Sequence, residues 1–218
     1  LTDYALLQVL VVDNPTMNAF AVPGGVIGIH SGLLLHADSE DEVASVIAHE
    51  MAHISQRHFA RSVAQAGTSG IATMAGLLAA IVLGATAGGD ASLAMLAITQ
   101  GASLESQLRY SRQNETESDR IGQQTLVKAG FDPAATARMF EKMLAATRYT
   151  GDLAPEYLLS HPLPQSRVID AQTRSTQYPT RIYPNNPQYQ LLATRVKVAN
   201  AETSEIAVRN FGNAYHQA

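Results

Sequence analysis

The stretch from Ser39 to Ser55 reads SEDEVASVIAHEMAHIS and has the pattern of a capped amphipathic helix. Ser39 and Glu42 form a capping box, in which each side chain satisfies a free N–H group at the start of a helix. The acidic residues 40–42 suit the positive end of the helix dipole. Four apolar residues recur at helical spacing and predict one buried face, namely Val43, Ile47, Met51 and Ile54.

The same helix contains His49, Glu50 and His53 in the pattern H-E-x-x-H. Residues four apart project from one face of a helix, so both imidazoles can reach one ion. Neutral imidazole suits zinc, at about 2.0–2.1 Å. Glu50 lies beside that face, where its carboxylate can act as general base towards a zinc-activated water. The motif predicts a catalytic site with one Zn²⁺ per chain.

A catalytic zinc ion keeps three protein ligands and one open position, so another element has to supply a ligand. The sequence NETESD at residues 114–119 lies on a second long helix, expected over residues 104–128. Glu115 and Asp119 share one face of it, which allows Glu115 to ligate and Asp119 to accept a hydrogen bond from a ligand imidazole. The alternative is a solvated acidic face paired with arginines, which suits Glu117 better.

His161 and Arg167 form a weaker candidate pair. Pro162 disfavours helical backbone at His161, so the segment is expected to lie at the start of a helix. Two interpretations remain open: both side chains point into a cleft, or Arg167 pairs with an acid. The other histidines have no partner pattern and are expected to be structural residues, with His58 at the surface or an edge; they are His30, His36, His58 and His216.

Composition excludes several classes of protein. The 218 residues carry a net charge of −4 and no cysteine. A disulfide framework, a cysteine-type zinc site and a thiol nucleophile are therefore excluded, and the mild negative charge provides no footprint for nucleic acid. The length suits one domain with a short appendage. We expect the domain with the zinc site to cover residues 1–183 and a linker with a helical extension to cover residues 184–218.

Short apolar runs near the start of the chain predict strands at residues 6–12, 17–22 and 26–29. Pro23, Gly24 and Gly25 separate the last two with turn chemistry. Closely spaced short strands followed by long helices predict an α+β fold that is mainly helical, with a small antiparallel sheet.

The segment between the two motif helices is nearly free of charge, since Asp90 is the only charged residue from 62 to 104. A membrane span needs about 20 continuous apolar residues, and this run is shorter and interrupted by glycines. One interpretation is a buried helix pair. The other is a mobile lid over residues 70–101 that also makes peripheral contact with a membrane.

Four blocks occur in a characteristic order: NAFAVPGG (18–25), HEMAH (49–53), NETESD (114–119) and SHP…R (160–167). Together they resemble the M48 family of zinc metallopeptidases, and most of all its periplasmic members with a tetratricopeptide-repeat module after the peptidase. The resemblance implies a zincin-type (gluzincin) fold. It also implies zinc ligation by His49, His53 and Glu115, with Glu50 as general base. Ser118 departs from the alanine common in the family, but a small residue is kept.

The same resemblance implies further roles. The residues Asn18, Ala19, Phe20, Ala21 and Val22 would form an edge strand that binds extended polypeptides by β-addition. His161 and Arg167 would line the cleft as catalytic residues. The implied function is an endopeptidase of misfolded or stalled outer-membrane proteins in the bacterial periplasm, working beside the outer-membrane assembly machinery. The extension over residues 184–218 would begin a repeat module.

A function from another class is a chaperone-like binding module for outer-membrane proteins with a structural or latent zinc site. A structural zinc ion has four protein ligands, and His161 is the candidate for the fourth. The intact Glu50 favours the enzyme, because a closed structural site has no use for a general base.

Overall fold

Three short strands form the sheet in the computed structural model, which describes residues 7–64, 112–149 and 155–217. They are β1 (Gln8–Val12), β2 (Ala19–Val22) and β3 (Val26–His30), in the order β1-β3-β2. β2 and β3 form an antiparallel hairpin whose turn contains Gly24 at φ 99° and Gly25 at φ 85°. Glycine adopts such positive φ values without the steric cost of a Cβ atom.

The sheet is mixed, which corrects the expected antiparallel sheet. β1 pairs with β3 in parallel, with Gln8 opposite Val26. The reason is that the chain leaves β1, passes to the far side of β3 and only then returns through the hairpin. Strand spacing along the sequence contains no information about such a crossing.

The helices make up most of the described chain and confirm the mainly helical α+β class. They are α1 (Ser31–His36), α2 (Glu40–Ser55), α3 (58–64), α4 (Arg112–Lys128), α5 (Ala135–Tyr149), α6 (Glu156–Ser160), α7 (Gln165–Ser175), α8 (Pro187–Ala199) and α9 (Ser204–Gln217). Within the three described ranges, no helix has both the length and the hydropathy that crossing a membrane requires. The segment expected as a lid or membrane contact, 70–101, lies outside the described residues.

Helix α2 begins as its sequence predicts and lies against the sheet. Ser39 Oγ accepts a hydrogen bond from the Glu42 amide at 3.4 Å. The predicted stripe faces the main core, with Val43 buried and the remaining three residues partly buried. Because α2 also packs against α4 and α5, both sides of the helix are covered. The motif residues of α2 are consequently buried rather than exposed on a surface.

Helix α8, the first element of the expected extension, packs onto the preceding part of the chain. It begins at Pro187, because Asn186 caps it by accepting a hydrogen bond from the Gln188 amide at 3.0 Å. Tyr189 is buried in the main core, and its hydroxyl donates to the Ala37 carbonyl at 3.2 Å. A domain boundary near residue 184 stays a prediction, and α8 shares the core of the chain before it.

Candidate functional site

Helices α2 and α4 touch at a glycine, which brings their polar side chains together. A Cβ atom at Gly122 would lie 3.0 Å from the backbone nitrogen of His49 and 3.1 Å from the carbonyl oxygen of Ala48. Only glycine allows two backbones to approach so closely. One and two turns earlier on α4, Asp119 and Glu115 therefore reach the histidines of α2.

Three side chains from these helices converge on one point. His49 Nε2 lies 2.9 Å from His53 Nε2. Glu115 completes the triangle, with Oε2 at 3.5 Å from His49 Nε2 and Oε1 at 3.4 Å from His53 Nε2. Ligands bound at about 2.1 Å to a tetrahedral ion lie about 3.4 Å apart. The two distances to Glu115 match this separation, whereas the two histidine nitrogens, 2.9 Å apart, lie closer together than tetrahedral ligands do. All three predicted ligands are buried.

Asp119 and Arg167 support the ligands from behind. His49 Nδ1 lies 3.0 Å from Asp119 Oδ1. Arg167 donates two hydrogen bonds to Asp119, from Nε at 2.7 Å and from Nη2 at 2.8 Å. Its Nη1 lies 2.9 Å from Glu115 Oε2. Two interpretations of Arg167 were left open. These contacts favour the one in which Arg167 pairs with acidic side chains. The sequence spacing could not identify which acids.

His161 lies at the site, next to two carboxylates. It ends helix α6 and is 2% exposed. Its Nδ1 is 3.1 Å from Glu115 Oε1, and its Nε2 is 3.5 Å from Glu50 Oε1. One ring nitrogen of His161 also belongs to a group of potential ligand atoms that lie within 4.8 Å of one another, together with atoms of His49, His53 and Glu115. The position suits either a fourth ligand or a donor to a bound substrate.

Glu50 is fully buried beside the ligand triangle. Neither of its carboxylate oxygens has a hydrogen-bond partner among the described residues. Leaving a buried acceptor unsatisfied is costly, so this arrangement favours a role in which the oxygens accept a proton. Burial raises the pKa of Glu50 above that of an ordinary glutamate. Tyr157, which the sequence did not single out, stacks on His161 at 4.6 Å between ring centroids.

The electrostatics of the pocket favour a positive charge between the ligands. Burial alone would lower the pKa of His49, but its contacts with Asp119 and Glu115 outweigh burial and raise that pKa to about 9. Burial lowers the pKa of His53 to about 2. Burial opposes ionisation of Glu115, yet the neighbouring His161 and the other histidines hold its pKa below the usual range. The ionised carboxylate of Glu115 therefore faces the point between the two histidines, where it favours a cation.

His58 is the main site residue that sequence reasoning missed. It was expected at the surface, yet it is fully buried, with Nδ1 3.0 Å from Nδ1 of His53. Its Nε2 lies 3.1 Å from Glu117 Oε2. The cause is a reversal of the chain at Arg57, whose φ of 54° ends α2 and turns α3 back towards the site. Helical periodicity stops at that residue, so no spacing rule connects His53 with His58.

The predicted edge strand lies at one edge of the described sheet. β2 is the outermost strand on its side, and the carbonyl of Asn18 before it accepts a hydrogen bond from the His30 amide at 3.0 Å. Phe20 covers Gly28, where a Cβ atom would meet its ring at 2.3 Å. The Met17 carbonyl accepts a hydrogen bond from the Tyr157 amide at 3.3 Å. The start of this strand is thus joined to α6, the helix that leads into the site.

Comparison with known proteins gives a consistent result. Residues 3–175 match the family model described as Peptidase family M48. The chain is 43% identical over 180 residues to a relative from Vibrio cholerae and 39% identical over 184 residues to one from Escherichia coli K12. Both names contain the words "beta-barrel assembly-enhancing protease".

A more distant relative is the mitochondrial metalloendopeptidase OMA1 of Arabidopsis thaliana, 34% identical over 160 residues, which cover 73% of this chain and 30% of the relative. The alignments with the two bacterial relatives cover 83% and 84% of this chain. They span 37% of the length of each of those relatives.

Proposed function

The chain belongs to peptidase family M48, a family of zincin-type metallopeptidases, and from this premise we propose that the whole protein is a zinc-dependent endopeptidase of misfolded or stalled outer-membrane proteins. The observation that supports it most is the position of Glu50, whose buried carboxylate has no hydrogen-bond partner among the described residues and lies next to the three converging ligand side chains. A metal site and a buried base at one point are the two requirements of metal-assisted peptide hydrolysis by water.

The metal would be held by Nε2 of His49, Nε2 of His53 and the carboxylate of Glu115. Two imidazoles and one carboxylate form a donor set that suits zinc and leaves a position open for chemistry. When bound, zinc supplies a Lewis acid that polarises the peptide carbonyl and makes water acidic enough to react near neutral pH. The Asp119 carboxylate lies 3.0 Å from Nδ1 of His49, so it would favour a proton on Nδ1 and leave Nε2 to face the ion.

Glu50 would move the protons of the reaction. One of its carboxylate oxygens takes a proton from the attacking water, and the protonated carboxyl then passes that proton to the leaving amide nitrogen. The raised pKa of Glu50 makes it a stronger base than an exposed glutamate and allows the same group to act later as an acid. Its complete burial excludes bulk water from competing for these protons.

His161 and Arg167 would assist in different ways. His161 Nδ1 lies 3.1 Å from Glu115 Oε1 and Nε2 lies 3.5 Å from Glu50 Oε1, so an imidazolium form of His161, with protons on both nitrogens, would donate from Nε2 to the developing oxyanion. Arg167 is buried against Asp119 and Glu115, and we assign it to positioning those two carboxylates.

The substrate is proposed to be an extended polypeptide that pairs with β2 along residues 18–22. An outermost strand offers backbone groups to an incoming strand, and β2 is joined to the site through the contact between Met17 and Tyr157. Unassembled β-barrel proteins consist of extended segments with unpaired edges, which suit this mode of binding. The words "beta-barrel assembly-enhancing" in the names of the bacterial relatives support such substrates and an association with their assembly. With them we propose a periplasmic location.

A second candidate is a chaperone-like binding module with a latent or structural zinc site. Its support is the ring nitrogen of His161 within 4.8 Å of the other potential ligand atoms. Ligation by His161 would close the coordination of the metal, and the protein would then bind polypeptides without cleaving them.

The test uses the full-length, zinc-loaded protein with casein and an unfolded outer-membrane β-barrel protein as substrates. We expect cleavage by the wild type and a loss of about 10²–10⁴-fold in Glu50→Gln with zinc content unchanged. Glu141→Gln, the same change at an exposed carboxylate on α5, provides the matched control. Substrate binding without cleavage by the wild type would favour the binding module, and loss of zinc in a folded Glu50→Gln protein would show that Glu50 is a ligand.

A further inference from the structure

The buried histidine of helix α3 connects a ligand histidine to the surface. His58 is completely buried and uses both ring nitrogens: Nδ1 is 3.0 Å from Nδ1 of His53, and Nε2 is 3.1 Å from Glu117 Oε2. Glu117 is half-buried and also lies 3.0 Å from Nη1 of the exposed Arg61. The four side chains form a continuous path from the ligand cluster to solvent.

The positions of the protons follow from the hydrogen-bond partners. A neutral imidazole carries one N–H, and an ionised carboxylate can only accept. Glu117 therefore takes the proton on Nε2 of His58, which leaves Nδ1 of His58 as an acceptor. The hydroxyl of Ser118, 3.3 Å from this nitrogen, can donate to it as well.

The same logic then determines the tautomer of His53. Its Nδ1 faces an acceptor and so carries the proton, which leaves the lone pair of Nε2 directed at His49 and Glu115. If His58 donated from Nδ1 instead, Nε2 of His53 would carry the proton and could not bind a metal ion. The path thus selects the form of His53 that can act as a ligand.

The two ligand histidines of α2 are supported by different groups. Behind His49 lies the carboxylate of Asp119, whereas behind His53 lies a second imidazole that is itself fixed by Glu117. A metal-ligating histidine depends on such a partner for its orientation and tautomer. This second imidazole, His58, lies on helix α3 and so outside the helix that carries the two ligand histidines.

We propose that His58 is a positioning residue of the metal site, which holds His53 in its metal-binding tautomer and is itself oriented by Glu117. This inference rests on the metal site of the proposed function. It adds a fixed connection between that site and the surface pair Glu117–Arg61, on the side of α4 opposite Arg167.

The experiment measures Zn²⁺ affinity of the full-length protein by competition with a chromophoric chelator, and the protonation of His53 by ¹⁵N NMR. His58→Leu removes the acceptor at similar size, and we expect the affinity to fall about 10–100-fold. His58→Asn keeps an acceptor bonded to Cγ, as Nδ1 is, and should restore most of the affinity. His30→Leu, which removes a buried histidine that contacts Thr16 away from the site, is expected to leave the affinity unchanged.

Two further measurements separate positioning from general damage. Glu117→Gln should weaken binding by a few-fold in the wild type and have no effect in His58→Asn, because the shorter side chain does not extend to Glu117. In the zinc-loaded wild type, His53 should carry its proton on Nδ1. Wild-type affinity in a folded His58→Leu protein, or additive effects of Glu117→Gln and His58→Asn, would overturn the inference. If the wild type itself binds no Zn²⁺, the proposed function fails together with it.

Discussion

Gly122 of α4 lies directly against His49 of α2, so closely that a single added methyl group would lie 3.0 Å from the His49 backbone nitrogen. The contact is between backbones, which cannot rotate out of the way as a side chain can. Glu115 and Asp119 lie on the same helix as Gly122 and reach His49 and His53 only at this separation. The three ligand side chains can therefore converge only because the two helices lie this close together.

Gly122→Ala should force α4 away from α2 and disturb the triangle. Alanine favours a helix by up to about 1 kcal/mol over glycine, but overpacking against fixed backbone costs about 1–3 kcal/mol. We expect a lower free energy of unfolding in urea and weaker zinc binding. Gly212→Ala in α9 is the matched control, because a Cβ atom there meets nothing within 4 Å; it should be neutral or stabilising. Full zinc affinity in Gly122→Ala would show that the helices adjust freely.

Glu115→Ala should remove both zinc and activity, since a ligand is lost from a site that has three. Metal analysis after gel filtration measures the zinc content, and Glu141→Ala, at an exposed position of α5, controls for the loss of a carboxylate. Unchanged affinity in Glu115→Ala would point to His161 as the third ligand.

Asp119→Asn should weaken zinc binding less, by about 10–100-fold, because Asp119 acts through His49.

Arg167→Met should destabilise the protein strongly. It leaves the Asp119 carboxylate buried without its two hydrogen bonds, and breaking a buried pair in this way costs about 3–5 kcal/mol. Urea unfolding measures the loss. Arg120→Met provides the comparison, because Arg120 is exposed and 3.8 Å from Asp170; that change should stay within about 1 kcal/mol. Equal effects of the two substitutions would contradict a structural role for Arg167.

His161→Ala distinguishes the two roles left for His161. If His161 donates to the oxyanion, peptidase activity should fall by about 10²–10³-fold while zinc is retained. If it closes the coordination of the metal, activity should rise on its removal. The rate of the zinc-loaded variant on casein decides, and an unchanged rate would exclude both roles.

Local rules predicted the elements of the site well. The capping pattern at Ser39 and the apolar stripe of α2 located the helix, and the four-residue spacing placed both histidines on one face. The positions of Glu115 and Asp119 followed from the need for another ligand and from the same spacing. The close contacts among these residues agree with that reasoning, while their roles in catalysis stay predictions.

Contacts between distant segments were beyond those rules. The sequence did not indicate that Arg167 pairs with Asp119 or that Gly122 touches the backbone of His49. Both contacts join helices that are far apart in the sequence, and the periodicity within one helix does not specify how it meets another.

The sequence by itself determined the motif helix, its buried face, the shared face of His49 and His53, and the family. These features depend on hydrogen bonds and side-chain spacing within one helix, which are the same wherever that helix lies. The tertiary structure decided the parallel pairing of β1 with β3, the depth at which α4 meets α2 and the burial of His58 behind His53. Those features depend on how elements pack against one another, and packing is selected by the whole core rather than by any one segment.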